Sequence, residues 1–169
     1  MTKPFLRASL AGALVLVPLA ACSESLQEPK MVDQAKIAGS IKADVQTIID
    51  AFNERDADAA LTMNARDTRI MSHGQPNMGW DQNLALIRQY VTDPALKLEV
   101  ENEEVDVAEA GDMALYTATY TWNFSDPNTG EVATEHGNWV MVFKRQSDGS
   151  MKIYREVISD TPASDEVAS

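Results

Sequence analysis

One cysteine, Cys22, occurs among 169 residues, so no disulfide can form within a monomer. Only two histidines are present, His73 and His136. They lie far apart with no adjacent acid cluster, a spacing without a recognisable metal-ligand pattern, so no metal site is expected. Basic residues are also scarce, with 14 Lys and Arg against 26 Asp and Glu and a formal charge of −12. The first 21 residues contribute Lys3 and Arg7 and no acid, so the remainder carries −14. A surface of that sign repels nucleic acid and anionic headgroups and lacks the basic patch that phosphate binding needs. A Gly-rich phosphate loop, a nucleophile elbow and a Ser/His/Asp spacing are all missing, and no cofactor is expected.

What the chain does contain begins at its start. A basic beginning (Lys3, Arg7) leads through an apolar stretch, Leu10 to Leu19, into small residues, which is the layout of a secretory signal. The apolar stretch is shorter than the ~20 residues of a membrane-spanning helix. Its ending, Leu19-Ala20-Ala21-Cys22, resembles the bacterial lipoprotein signal, in which the cysteine becomes the lipidated first residue. That resemblance implies a signal peptide over 1–21, lipidation of Cys22, and export to a membrane-anchored position. The alternative is an ordinary signal peptide cut near Ala21. Ser23 follows the cysteine where inner-membrane retention in enteric bacteria typically has Asp, which implies the outer membrane, facing the periplasm. Residues 22–32 are polar and aperiodic and suit a tether. Residues 161–169 are small and acidic, as in a flexible tail. A single folded domain is thus expected over 33–160.

Within that domain the apolar period changes once. Ile37, Ile41, Val45, Ile48, Ile49 and Phe52 predict a long amphipathic helix from about Asp33 to Asn53. Asp56 is placed to cap a short second helix. "DTRIMS" reads as a short strand and "HGQPNMG" as a loop. Trp80, Leu84, Ile87 and Val91 share one face of a third helix, stopped by Asp93-Pro94. From Leu96 onward the pattern is sheet. Apolar residues switch from even positions (Leu96, Leu98, Val100) to odd ones (Val105, Val107), which predicts a bulge near Asn102 to Glu104. "MALYTATYTWNF" alternates, "DPNTG" turns the chain, and "NWVMVFKRQ" is apolar on both faces, like a central strand. Asp148-Gly149 forms a hairpin turn into "MKIYREVIS". Three helices followed by a long antiparallel meander form an α+β pattern, with helices on one face of a sheet.

The segments "DVQTIIDAFNERDADAALTM", Gly79 opening the third helix, and "GNWVMVFKRQSDGSMKIYREVISD" resemble the NTF2-like superfamily, in particular its SnoaL-like or DUF4440-type members. The resemblance implies a cone, in which a curved antiparallel sheet wraps a long helix, with a pocket in its mouth; many members are homodimers. Ketosteroid isomerases resemble the chain in helix order, and they combine a general-base carboxylate with a protonated acid and a tyrosine. Their positions fall here near Ile70, Trp139 and Ile49, none of which can do those jobs.

Other polar groups remain as candidates. On simple alternation Arg155 and Glu156 lie on opposite faces of the last strand, so at least one charge is covered and needs a partner or a polar cavity. Glu156 with His73 or His136 would supply an acid and a base. Tyr116, Tyr120, Trp122, Trp139 and Arg155 are candidate ligand-binding residues, the aromatic face otherwise being ordinary core. Three function classes follow. The first is a membrane-anchored module binding a small apolar or amphipathic molecule. The second is a cofactor-free isomerase, dehydratase or hydrolase, and the third is a dimeric assembly module. Binding is preferred because no convergent acid–base pair is visible in the sequence.

Overall fold

The computed structural model describes residues 32–161. Cys22, the 1–21 signal and the tether lie outside them, apart from Val32, as does the 161–169 tail beyond Thr161. Helix α1 spans Gln34–Asn53, and the Asp33 carboxylate caps it by accepting from the Lys36 N–H at 2.9 Å. Helix α2, Ala57–Ala60, is capped in the same way by Asp56, which accepts from the Ala59 N–H. Each cap satisfies one of the N–H groups left open at a helix start. Strand β1 spans Asn64–Ser72, three residues longer at its start than its apolar pattern predicts. Helix α3 spans Trp80–Tyr90, with Gln82 Oε1 accepting from the Gly79 N–H at 2.8 Å. Strands β2 (Lys97–Val107), β3 (Met113–Ser125), β4 (Val132–Arg145) and β5 (Met151–Thr161) follow.

The strands form one sheet in the order β1-β5-β4-β3-β2. β2 to β5 make the expected antiparallel meander, but β1 pairs with β5 in parallel, so the sheet is mixed rather than antiparallel. The reason is connectivity. After β1 the chain passes through α3 and three strands before β5 returns beside it, and side-chain alternation carries no information on strand direction. Thr161, assigned by composition to the tail, pairs with His136 at the end of β5.

Ile41, Val45, Ile48 and Ile49 on α1 pack on the inner face of the sheet against Tyr116, Ala118, Trp139, Met141, Phe143 and Ile153. Ile41, Val45 and Tyr116 are wholly buried. Each large apolar side chain buried this way contributes about 1.5–3 kcal/mol at most. A second cluster, including Ala51, Ala60, Leu61, Leu84 and Ile87, joins α2 and α3 to the end of α1.

The β1–β5 register shifts between Asn64 and Arg69, and two bulges, in β2 and β5, aim the side chains. In β2 the register shifts between Glu101 and Glu104, and Asn102 adopts φ 56°, in the left-handed region where asparagine is among the better tolerated residues. This lets Val100 and Val105 both pack against the core. In β5 the pairing passes from Val142↔Arg155 to Phe143↔Ile153, which leaves Tyr154 as the extra residue. Ile153 and Glu156 are consequently both buried, whereas plain alternation would set them on opposite faces.

Candidate functional site

Between the helices and the sheet lies a cavity of about 570 Å³. α1 lines it with Ile48 and Phe52, α3 with Ile87 and Tyr90, and β1 with Ile70. The inner face of the sheet adds Leu98, Tyr120, Trp122, Trp139, Ile153 and Ile158. Polar groups are fewer among these walls: Asn64, Ser72, Asn83, Glu135, Glu156 and the loop residues around His73, with Asp93 and Ser125 at one side.

Among the described residues Glu156 is the most buried of the acidic and basic side chains, at 7% exposure. Its Oε1 accepts from Trp139 Nε1 at 2.7 Å. Burial pushes its pKa above the ordinary carboxylate value, and the Trp139 and Asn64 side chains pull it back. The Asn64 amide lies near enough to exert that pull, yet no acceptor meets its Nδ2 with hydrogen-bonding geometry.

A second polar group lines the same cavity. Tyr120 OH donates to Glu135 Oε1 at 2.5 Å, and Glu135 Oε2 lies 3.3 Å from His73 Nε2. Asp160 Oδ1 is 3.9 Å from the other imidazole nitrogen. Burial first, then the hydrogen bond and charge of Glu135, holds the Tyr120 hydroxyl far above the ordinary tyrosine range, so it remains a donor. Glycine at 137 makes this packing possible, since a Cβ there would overlap the Tyr120 ring and the Ser159 carbonyl oxygen. At the rim, Asp93 accepts from both the Ser125 N–H and the Ser125 hydroxyl at 2.6 Å. These bonds hold its carboxyl below the ordinary value.

The structure brings Glu156, His73, Tyr120, Trp122 and Trp139 to the cavity, and it places Tyr116, His136 and Arg155 elsewhere. Tyr116 is wholly buried in the core, with its hydroxyl donating to Glu103 at 2.8 Å. His136 falls on the outer face because β4 alternates. Glu135, Gly137 and Trp139 point inward, and His136 is exposed against Thr121 Oγ1 at 3.1 Å. Arg155 is turned outward by the Tyr154 bulge, where its guanidinium lies 3.5 Å from the centre of the Tyr154 ring. No hydrogen bond or ion pair joins Glu156 to a histidine among the described residues; His73 partners Glu135 and Asp160 instead. Sequence reasoning missed Glu135 and Asn64. Glu135 was within reach, being four residues before Trp139 on an alternating strand, whereas nothing in the pattern marked Asn64.

Of the three steroid-isomerase positions, Ile70 and Trp139 line the cavity and Ile49 belongs to the core, so that catalytic set is not reproduced. No group of three or more His, Cys, Asp or Glu residues able to hold a metal occurs among the described residues. No described helix is long and apolar enough to cross a membrane.

Comparison with known proteins agrees with this architecture. An NTF2-like superfamily protein from Salmonella enterica serovar Typhimurium superposes with a TM-score of 0.67 at 11% identity, over 77% of this chain and 94% of that one. A protein named as a dehydratase of the NTF2-like family from Streptomyces avermitilis gives 0.64 at 15% identity, over 77% and 99%. A ketosteroid isomerase-like protein from Erwinia carotovora atroseptica gives 0.60 at 19% identity, over 75% and 97%. At such identities the likeness establishes the NTF2-like fold and nothing of activity. No curated protein matches the chain. The family model of the SnoaL-like domain matches residues 41–164, which spans α1 from its first buried turn through all five strands, and the chain therefore belongs to the SnoaL-like domain family.

Proposed function

We propose that this domain holds a small, mainly apolar or amphipathic molecule in its cavity and works in a bacterial envelope, tethered by lipid on Cys22. The observation that carries the binding reading is the cavity itself. Its volume of about 570 Å³ falls in the range of roughly 300–1,000 Å³ typical of small-molecule sites, and such sites share its mix of apolar walls and a few placed polar groups. The envelope reading is supported by the Leu19–Cys22 ending behind a basic and then apolar start. Native mass spectrometry of the purified full chain tests the binding reading. A retained or added apolar molecule is expected on the wild type. With Ile70→Trp, which fills a wall position now 1% exposed, occupancy should fall about tenfold or more. Equal occupancy in both proteins would place the molecule elsewhere.

A catalytic reading is favoured by one observation, that a carboxyl whose pKa burial raises, Glu156, and an imidazole, His73, line the same cavity. The two would act as acid and base on a bound molecule. Deuterium exchange at the methyl group of 2-acetylnaphthalene in heavy water measures this. The wild type should exceed buffer, and His73→Ala should not; exchange no faster than buffer removes the catalytic reading while leaving the binding one in place.

A further inference from the structure

The cavity wall contains an amide donor that no acceptor meets in good hydrogen-bonding geometry, although the Glu156 carboxyl stands close to it. Asn64 is 8% exposed, lines the cavity, and has no acceptor for Nδ2. A buried donor left unpaired is costly, so such groups call for a partner the fold does not provide. Thr68 Oγ1 is also buried without a partner, but Thr68 does not line the cavity. Glu156 stands beside Asn64, its Oε1 occupied by the Trp139 indole.

Resting on the binding reading above, we propose that Asn64 and Glu156 form a polar head site in this apolar cavity, where Asn64 Nδ2 donates to the carbonyl oxygen of an uncharged ligand. The apolar remainder of that ligand would lie along Ile48, Ile70, Leu98 and Ile153, which line the same space. Charge selects against an acid. The ionisable groups lining the cavity are Asp93, Glu135, Glu156, Tyr90, Tyr120 and His73, and neither Lys nor Arg is among them. A carboxylate entering there would meet carboxyl groups with one imidazole to offset them.

Three probes of one shape test this on the full chain: 2-acetylnaphthalene, 2-ethylnaphthalene and 2-naphthoate, with affinities from titration calorimetry. The ketone should bind about three- to tenfold more tightly than the hydrocarbon, the range expected for one net hydrogen bond, and the naphthoate most weakly. Asn64→Leu, close to isosteric, should erase the preference for the ketone, leave the hydrocarbon unchanged or tighter, and not lower the melting temperature. Should that variant fail to fold, the wild type still answers by NMR. The Asn64 side-chain amide protons should shift with the ketone and stay in place with the hydrocarbon. Ketone and hydrocarbon bound equally, or a preference that persists in Asn64→Leu, overturns the head site and spares the binding reading. Failure of all three probes to bind overturns both.

Discussion

At the scale of single residues, Glu156 concentrates the tension between folding and use. Its carboxyl is buried to 7% exposure, which favours the protonated form, while the indole N–H that donates to it favours the anion, and burial is the larger effect. Its folded pKa lies above the ordinary 4.5. The sign of the linkage follows. The group's contribution to stability is fully present below the unfolded value and is lost as pH rises towards and through the folded one. Glu156→Gln, which no longer titrates, should therefore melt higher than the wild type at about pH 8 and at nearly the same temperature at about pH 4. Calorimetric melts at the two pH values check this, and a gap of equal size at both would show that Glu156 ionisation does not couple to folding. The position of Glu156 was readable in advance only as a charge on a covered strand. Choosing between it and Arg155 required the Tyr154 bulge, a backbone event that leaves no trace in the alternation of apolar residues.

At the scale of elements, the two bulges differ in legibility. The one in β2 announces itself, because Val100 and Val105 have opposite parity and both must reach the core. Its cost is local and falls on Asn102, exposed and held at φ 56°. Both Asn102→Gly and Asn102→Ala remove the hydrogen bond from Asn102 Nδ2 to Thr119 Oγ1, so their difference isolates the backbone. Ala should unfold more easily than Gly by about 1 kcal/mol, the ordinary cost of a left-handed residue with a Cβ. Urea titration measures it, and equal midpoints would mean that the bulge relaxes freely. Helix α1 was legible almost to the residue, from about Asp33 to Asn53, because its apolar stripe is a local signal. The parallel pairing of β1 with β5 was not, since it joins Arg69 to Arg155 across most of the domain.

At the scale of the whole molecule, surface charge is written more plainly than chemistry. The net charge of −12 argues against any polyanion as partner. On the proposed lipid tether, Cys22→Ala should move the protein from the membrane pellet to the soluble fraction or leave it uncleaved, as read by fractionation and intact mass. Unchanged fractionation with the membrane would refute it. By itself the sequence determined the order of helices and strands, the capped start of α2, the β2 bulge and the acidic surface, since each rests on neighbours a few residues apart or on composition alone. Tertiary structure alone decided that Glu156 faces inward and Arg155 outward, that His73 meets Glu135 rather than Glu156, and that Asn64 stands unpaired in the cavity wall. Those outcomes depend on strand register and chain crossings between residues many positions apart, and a hydrophobic period constrains which face a side chain takes without naming what it will find there.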